Sequence, residues 1–368
     1  MARYGYGLFV PDLRADFALS TEVVGLLATG STAAYLVATS AVAFLTTRGG
    51  PRLPVVLGAL VAAAGTLMVA LAEGKLILGL GVVVAGASPG LAFPPFSDAV
   101  ARLIEPERQD RALTLISSGT SYGVLLAGPI ALLAGGAWRA AWLAFAALAL
   151  VVAAWTARVL PGHGRSRARE PWLRTVLSVR AGPLLAAGFL VGIAIAVYFT
   201  FAVDLVARAS SLPRSAGPAL LVAIGVAGIA GGLAGDLIAR IGLRRALWAT
   251  VAPLTLALIL LPLAPASGPA VVSSALLFGV SFIGLTGVLA VWGARAFPQR
   301  PDAGLAAMLF LLFVGQLVGP ALAGLVGGRY GLAPAFYLSA LLVAAIGLLD
   351  PGKALPASST LGDGSRRD

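Results

Sequence analysis

The sequence predicts an all-α integral membrane protein with twelve transmembrane helices, built as two pseudo-symmetric six-helix bundles. Three observations lead there: an apolar composition, apolar runs close to bilayer length, and an internal repeat that halves the chain. Of the 368 residues, 59% are hydrophobic and only 11% charged, and the mean hydropathy is +0.96. A soluble core cannot absorb that much apolar surface. The charges gather in short clusters between runs of about twenty apolar residues, the length a helix needs to cross a hydrocarbon layer of about 30 Å. In lipid every backbone polar group must be satisfied within its own segment, so these runs are helices; the period-two alternation of a barrel strand is absent.

The first six runs are Ala2 to Val10, Glu22 to Phe44, Leu53 to Leu71, Leu76 to Phe96, Leu113 to Leu133 and Trp138 to Ala157. The first meets a charged turn from Pro11 to Asp16 without a small-residue cleavage site, so it is expected to stay in the membrane. Six more runs are Leu184 to Val203, Ala216 to Ile238, Ala246 to Leu261, Val271 to Trp292, Ala303 to Val326 and Ala333 to Leu349. The polar interval 158–180, which carries the only histidine, His163, reads as a basic linker between an N-terminal bundle (1–157) and a C-terminal bundle (181–350). The tail, 351–368, is rich in Ser, Gly and charge and is expected to be disordered.

Orientation follows from the 26 Lys and Arg residues, nineteen of which fall on one alternate set of loops together with the linker and tail. That asymmetry predicts a multi-pass protein of the inner (plasma) membrane with both termini in the cytoplasm. It also accounts for the net charge of +11 without a nucleic-acid partner. With no cysteine and a single histidine in the linker, the chain offers neither thiol chemistry nor a metal-ligating cluster, and no cofactor is expected. No His/Asp/Ser constellation marks an enzyme.

A shift of 192 residues lays the second half on the first. Tyr6 then falls on Tyr198, Phe9 on Phe201, Asp12 on Asp204, Arg48 on Arg240, Arg52 on Arg244, Pro106 on Pro298 and Arg108 on Arg300. Matches at such scarce residue types are hard to attribute to composition. Six helices separate the copies, an even number, so both halves share one orientation about an axis along the membrane normal. The partner of the first run begins near Leu184, which predicts that the first helix starts about eight residues upstream of Met1.

Loops after the second helix of each half read A-F-L-T-T-R-G-G-P-R and G-D-L-I-A-R-I-G-L-R. With the repeat, these stretches resemble the signature of the major facilitator superfamily, roughly G-x-x-x-D-R-x-G-x-R, and the first-helix segment R-Y-G-Y-G-L-F-V-P resembles a bacterial branch of it. The resemblance implies two rocking bundles around a central cavity, with gating residues at the cytoplasmic side: Arg48, Arg52, Arg240 and Arg244, with Asp98 and Asp236 nearby. Thr47 and Ala239 stand where the superfamily has its acid, and Asp236, four residues before Arg240, is the available substitute. Equally, these arginines are ordinary cytoplasmic flanks. The fifth helix, with Gly119, Gly123, Gly128 and Pro129, loosely resembles the superfamily's antiporter pattern, and is accounted for as well by close helix packing.

Arg3 precedes Asp12, at the external end of helix one, by nine residues, or about 13 Å, which sets it near mid-membrane. An arginine there costs at least about 3 kcal/mol unless it faces a wet cavity, so it marks a solute path; the bland reading is a flank that snorkels to the interface. Candidate cavity neighbours are Tyr4, Tyr6, Tyr122, Tyr198, Phe199, Trp292 and Gln316, the last being the intramembrane amide. With no carboxylate near mid-membrane, a lone arginine favours a small organic anion or polar neutral metabolite, moved by secondary-type alternating access. The expected partners are that solute, with or without a coupling ion, and the lipid bilayer. The alternatives are a drug/proton antiporter-type exporter and a transporter-derived membrane sensor without flux.

Overall fold

The computed structural model describes residues 3–105, 108–109, 116, 119–160, 182–209, 212–232, 234–297, 301–349 and 351. Every regular element among them is a helix: α1 (Gly5–Phe17), α2 (Thr21–Gly49), α3 (Arg52–Ala70), α4 (Lys75–Leu103), α5 (Gly119–Leu133), α6 (Trp138–Val159), α7 (Gly182–Arg208), α8 (Ala216–Gly231), α9 (Ala234–Ile241), α10 (Leu243–Leu263), α11 (Gly268–Ala296), α12 (Pro301–Tyr330) and α13 (Leu332–Ile346). Eight are long and apolar enough to cross a membrane, and α5, α8 and α13 are shorter apolar helices. At 1.5 Å per residue, the 27 residues of α7 extend about 40 Å. The linker and nearly all of the tail lie outside the described residues.

Two expectations are corrected at the level of elements. The turn foreseen from Pro11 to Asp16 is helical, and α1 continues to Phe17. Proline forfeits one backbone hydrogen bond, but the polar residues beyond it find partners on other helices. The eighth run is two helices, α8 and α9, with a break after Gly231.

The described helices pack closely on one another. α2 packs on α3 and α4, and α3 on α4 and α6; likewise α8 packs on α11, and α10 on α9, α11 and α13. Between the two sets, α1 packs on α7, α2 on α12 and α5 on α8. Those seams are made by small residues. A Cβ on Gly25 of α2 would collide with the carbonyl of Pro320 on α12, and one on Gly225 of α8 with the backbone of Leu125 on α5. Lipid supplies no hydrophobic drive for such contacts, so the close backbone approach itself provides the dispersion attraction. Gly25→Leu is therefore expected to force α2 from α12 and cost about 1–3 kcal/mol, read as a fall in the thermal midpoint of the detergent-purified protein.

Candidate functional site

Arg3 sits just before α1 and reaches across to two other helices. Its Nη2 donates to Thr32 Oγ1 on α2 at 3.0 Å and to Gln316 Oε1 on α12 at 2.6 Å. Thr32 in turn donates to Ala28 O, which fixes its lone pairs toward the guanidinium. Rings close around the cation, whose Cζ lies 5.0 Å from the Tyr35 centroid, 5.5 Å from Tyr4 and 5.7 Å from Phe313. These rings are themselves paired, Tyr4 with Phe199 at 4.4 Å and Tyr35 with Phe313 at 4.3 Å. The aromatic faces offset part of the cost of holding an arginine away from water.

No carboxylate of a described residue lies within ion-pair distance of Arg3. A guanidinium has five N–H donors, and among the described residues only Nη2 of Arg3 is engaged. Gln316 is 2% exposed, and because its amide oxygen accepts from Arg3, its amide group presents N–H rather than oxygen to its remaining surroundings. Beside them is a cavity of about 30 Å³, lined by Arg3, Tyr4, Tyr6, Phe199, Thr200 and Gln316 among others. That is room for about two waters or the head of one carboxylate. The donors, with no acid on the cavity lining, make an anion-accepting environment, while the ring faces hold the guanidinium itself.

Of the sequence candidates, Arg3, Tyr4, Tyr6, Phe199 and Gln316 come together on this cavity. Tyr6 also donates to Val24 O, tying α1 to α2. Tyr198 turns away, its hydroxyl 2.8 Å from Ser274 Oγ and its ring stacked on Phe278. Trp292 is fully buried on α11 with an indole N–H that meets no acceptor among the described residues, and it lines neither cavity. Tyr122 is 42% exposed on α5 and likewise stands apart from both. Thr32, Tyr35 and Phe313 escaped the sequence reading; the spacing of Thr32 and Tyr35, one helical turn apart on α2, is the signal that could have found them.

At the far end the gating candidates are solvated. Arg48, Arg52, Asp236, Arg240 and Arg244 are exposed, with Arg48 lying over the Phe44 ring at 4.1 Å. Asp236 and Arg240 make no ion pair with each other; an exposed i,i+4 pair gains little in water from holding two long side chains together. The side chain of Asp98 lies outside the described residues.

The opposite end holds the polar network that sequence reading missed. Asp204 on α7, its side chain 4% exposed, accepts from Arg14 Nη1 of α1 at 2.8 Å and from Arg208 Nη2 at 2.6 Å. Arg14 also donates to Leu19 O, and Arg208 to Thr21 Oγ1, so one carboxylate joins α1, α2 and α7. Nearby, Asp16 accepts from Trp138 Nε1 at 2.7 Å and pairs with Arg139 at 3.4 Å.

The family model described as Major Facilitator Superfamily matches residues 1–312. The chain belongs to the Major Facilitator Superfamily. Its fold agrees with solved members of this superfamily at low identity. A bacterial homologue of the human lysosomal transporter Spinster, in an inward-facing and occupied conformation, superposes with a TM-score of 0.76 at 15% identity, covering 94% of this chain and 92% of that one. The nucleoside transporter NupG gives 0.73 at 11% identity, over 94% and 96%. In sequence the chain is 32% identical over 298 residues to the transcription regulatory protein OpdE of Pseudomonas aeruginosa, covering 76% of this chain and 72% of OpdE. With its apolar helices, the superfamily makes this a multi-pass membrane protein, and the family relatives solved as structures are transporters rather than enzymes.

Proposed function

We propose that this chain is a secondary-type transporter that carries a small organic anion, or a strongly polarised neutral solute, through a central site at Arg3. The observation that carries this reading is a half-buried guanidinium with no counter-ion among the described residues, beside a cavity that Arg3, Thr32, Gln316 and aromatic rings line. A half-buried cation without an acid beside it among the described residues is matched by a solute that brings its own negative charge. The cavity lining contains no carboxylate, which speaks against an exporter of organic cations driven by protonation at that site.

In this reading the halves 1–157 and 181–350 are two six-helix bundles that rock about the cavity, with linker, tail and both termini in the cytoplasm. The Arg14–Asp204–Arg208 network then lies at the external end, and the close seams of α2 with α12 and α5 with α8 support a state closed to the outside. Opening that end requires the network to part, so these residues join the gating set.

The name of the OpdE relative favours one second reading, a sensor that binds its solute without moving it. One experiment separates the two. Purified protein is screened by thermal shift against short carboxylates, amines and sugars, and each stabilising compound is then tested for counterflow in proteoliposomes. Carboxylates that stabilise and exchange support transport of an anion. Stabilisation without exchange supports the sensor, and stabilisation by amines alone overturns the anion site.

A further inference from the structure

The repeat sets Asp12 and Asp204 at equivalent positions, yet the two carboxylates have opposite surroundings. Asp204 is saturated by two guanidinium groups, Arg14 and Arg208. Asp12 has neither counterpart: four residues on stands Asp16 where the second half has Arg208, and Asp16 is engaged by Trp138 and Arg139. Asp12 instead lines a second cavity of about 320 Å³, walled by α1, α5, α7, α8, the start of α6 and Leu212, Pro213 and Arg214. Neither Asp12 nor Arg214 makes an ion pair with the other or with any other described residue.

All other lining residues are uncharged and nearly all apolar, with Leu8, Phe9, Val203 and Leu212 among them. The chamber shares no lining residue with the cavity at Arg3. Between the two, α1 and α7 touch at backbone distance, where Gly7 meets the carbonyl of Phe199. It is therefore a compartment of its own, with a volume at the lower end of the range for small-molecule pockets.

We propose that this chamber binds a small zwitterion with an apolar body, of the α-amino-acid type, with its ammonium on Asp12 and its carboxylate on Arg214. The fate of Asp204 shows what a carboxylate at this repeat position takes, namely N–H donors of a cation. Asp12 is half-buried and Arg214 exposed, both on the cavity lining, so a simple cation would engage Asp12 alone and a simple anion Arg214 alone. A ligand carrying both charges engages the two together, and its ammonium compensates the half-buried carboxylate of Asp12. The apolar walls then take its side chain.

Binding of radiolabelled L-leucine to the purified full chain, read by scintillation proximity, tests this. Saturable binding is expected, displaced by excess isoleucine or norleucine and at least tenfold less well by 4-methylpentanoate, which lacks the ammonium, or by isoamylamine, which lacks the carboxylate. D12N and R214Q, both at cavity-lining positions, are each expected to weaken leucine at least tenfold while eluting as the same monodisperse species as the parent. Absence of binding by leucine, isoleucine and norleucine alike overturns the proposal. So does binding that neither D12N nor R214Q alters, and binding lost in R3Q but kept in both, which assigns the amino acid to the central cavity.

Discussion

Arg3→Gln is expected to weaken small-carboxylate binding at the central cavity ten- to a hundredfold and to bring flux to background. The fold-change corresponds to about 1.5–3 kcal/mol for a hydrogen bond to a charged group. Glutamine keeps a polar side chain and the contacts to Thr32 and Gln316 remain within its chemistry, so insertion and monodispersity should persist. Arg3→Lys sharpens the test. Lysine restores the charge but not the planar fork or its stacking on Tyr4, Tyr35 and Phe313, so an intermediate loss is expected. Carboxylate affinities from thermal-shift titrations, alongside proteoliposome uptake, measure both. Unchanged affinity in Arg3→Gln would reduce Arg3 to a positioning residue for α1.

Asp204→Asn is expected to open the Asp204 end of the molecule. Removing one partner of a buried ion pair costs about 3–5 kcal/mol, and since the side chains of Arg14 and Arg208 are 24% and 36% exposed, water softens this to about 2 kcal/mol. If only the closed state carries the network, the open fraction rises about thirtyfold. The chain has no cysteine, so a single Thr200→Cys on the central cavity gives a clean reporter. A membrane-impermeant thiol reagent applied from outside should label it at least tenfold faster in the Asp204→Asn background. Equal labelling rates would show that the network fastens α1 to α7 without gating access.

The helical class was legible because lipid leaves a spanning segment no other way to satisfy its backbone, so runs such as Leu184 to Val203 could be read almost directly. Boundaries were legible only where charge and apolarity changed together. Beyond Val10 they did not: Arg14 and Asp16 look like turn residues in sequence, and are helical because Asp204 and Trp138 receive them. Arg3 and Gln316 could each be singled out as costly in lipid. That they meet, 313 residues apart, follows from the approach of α2 and α12 across the halves, which no local pattern encodes. Asp204 was visible as a repeat partner of Asp12, and the D-x-x-x-R spacing to Arg208 was there to be read; Arg14, 190 residues away, was not.

The seams at Gly25 and Gly225 bear on how fast such a molecule can cycle. Where two bodies meet through interlocked side chains, parting them means rotamers must change and voids must refill. Here main chain lies against main chain, so the surfaces can separate and return with nothing to rearrange. On the transport reading, resistance to opening is then shared between the dispersion attraction of these seams and the polar contacts at the rim, and Asp204 is the contact a single substitution can remove.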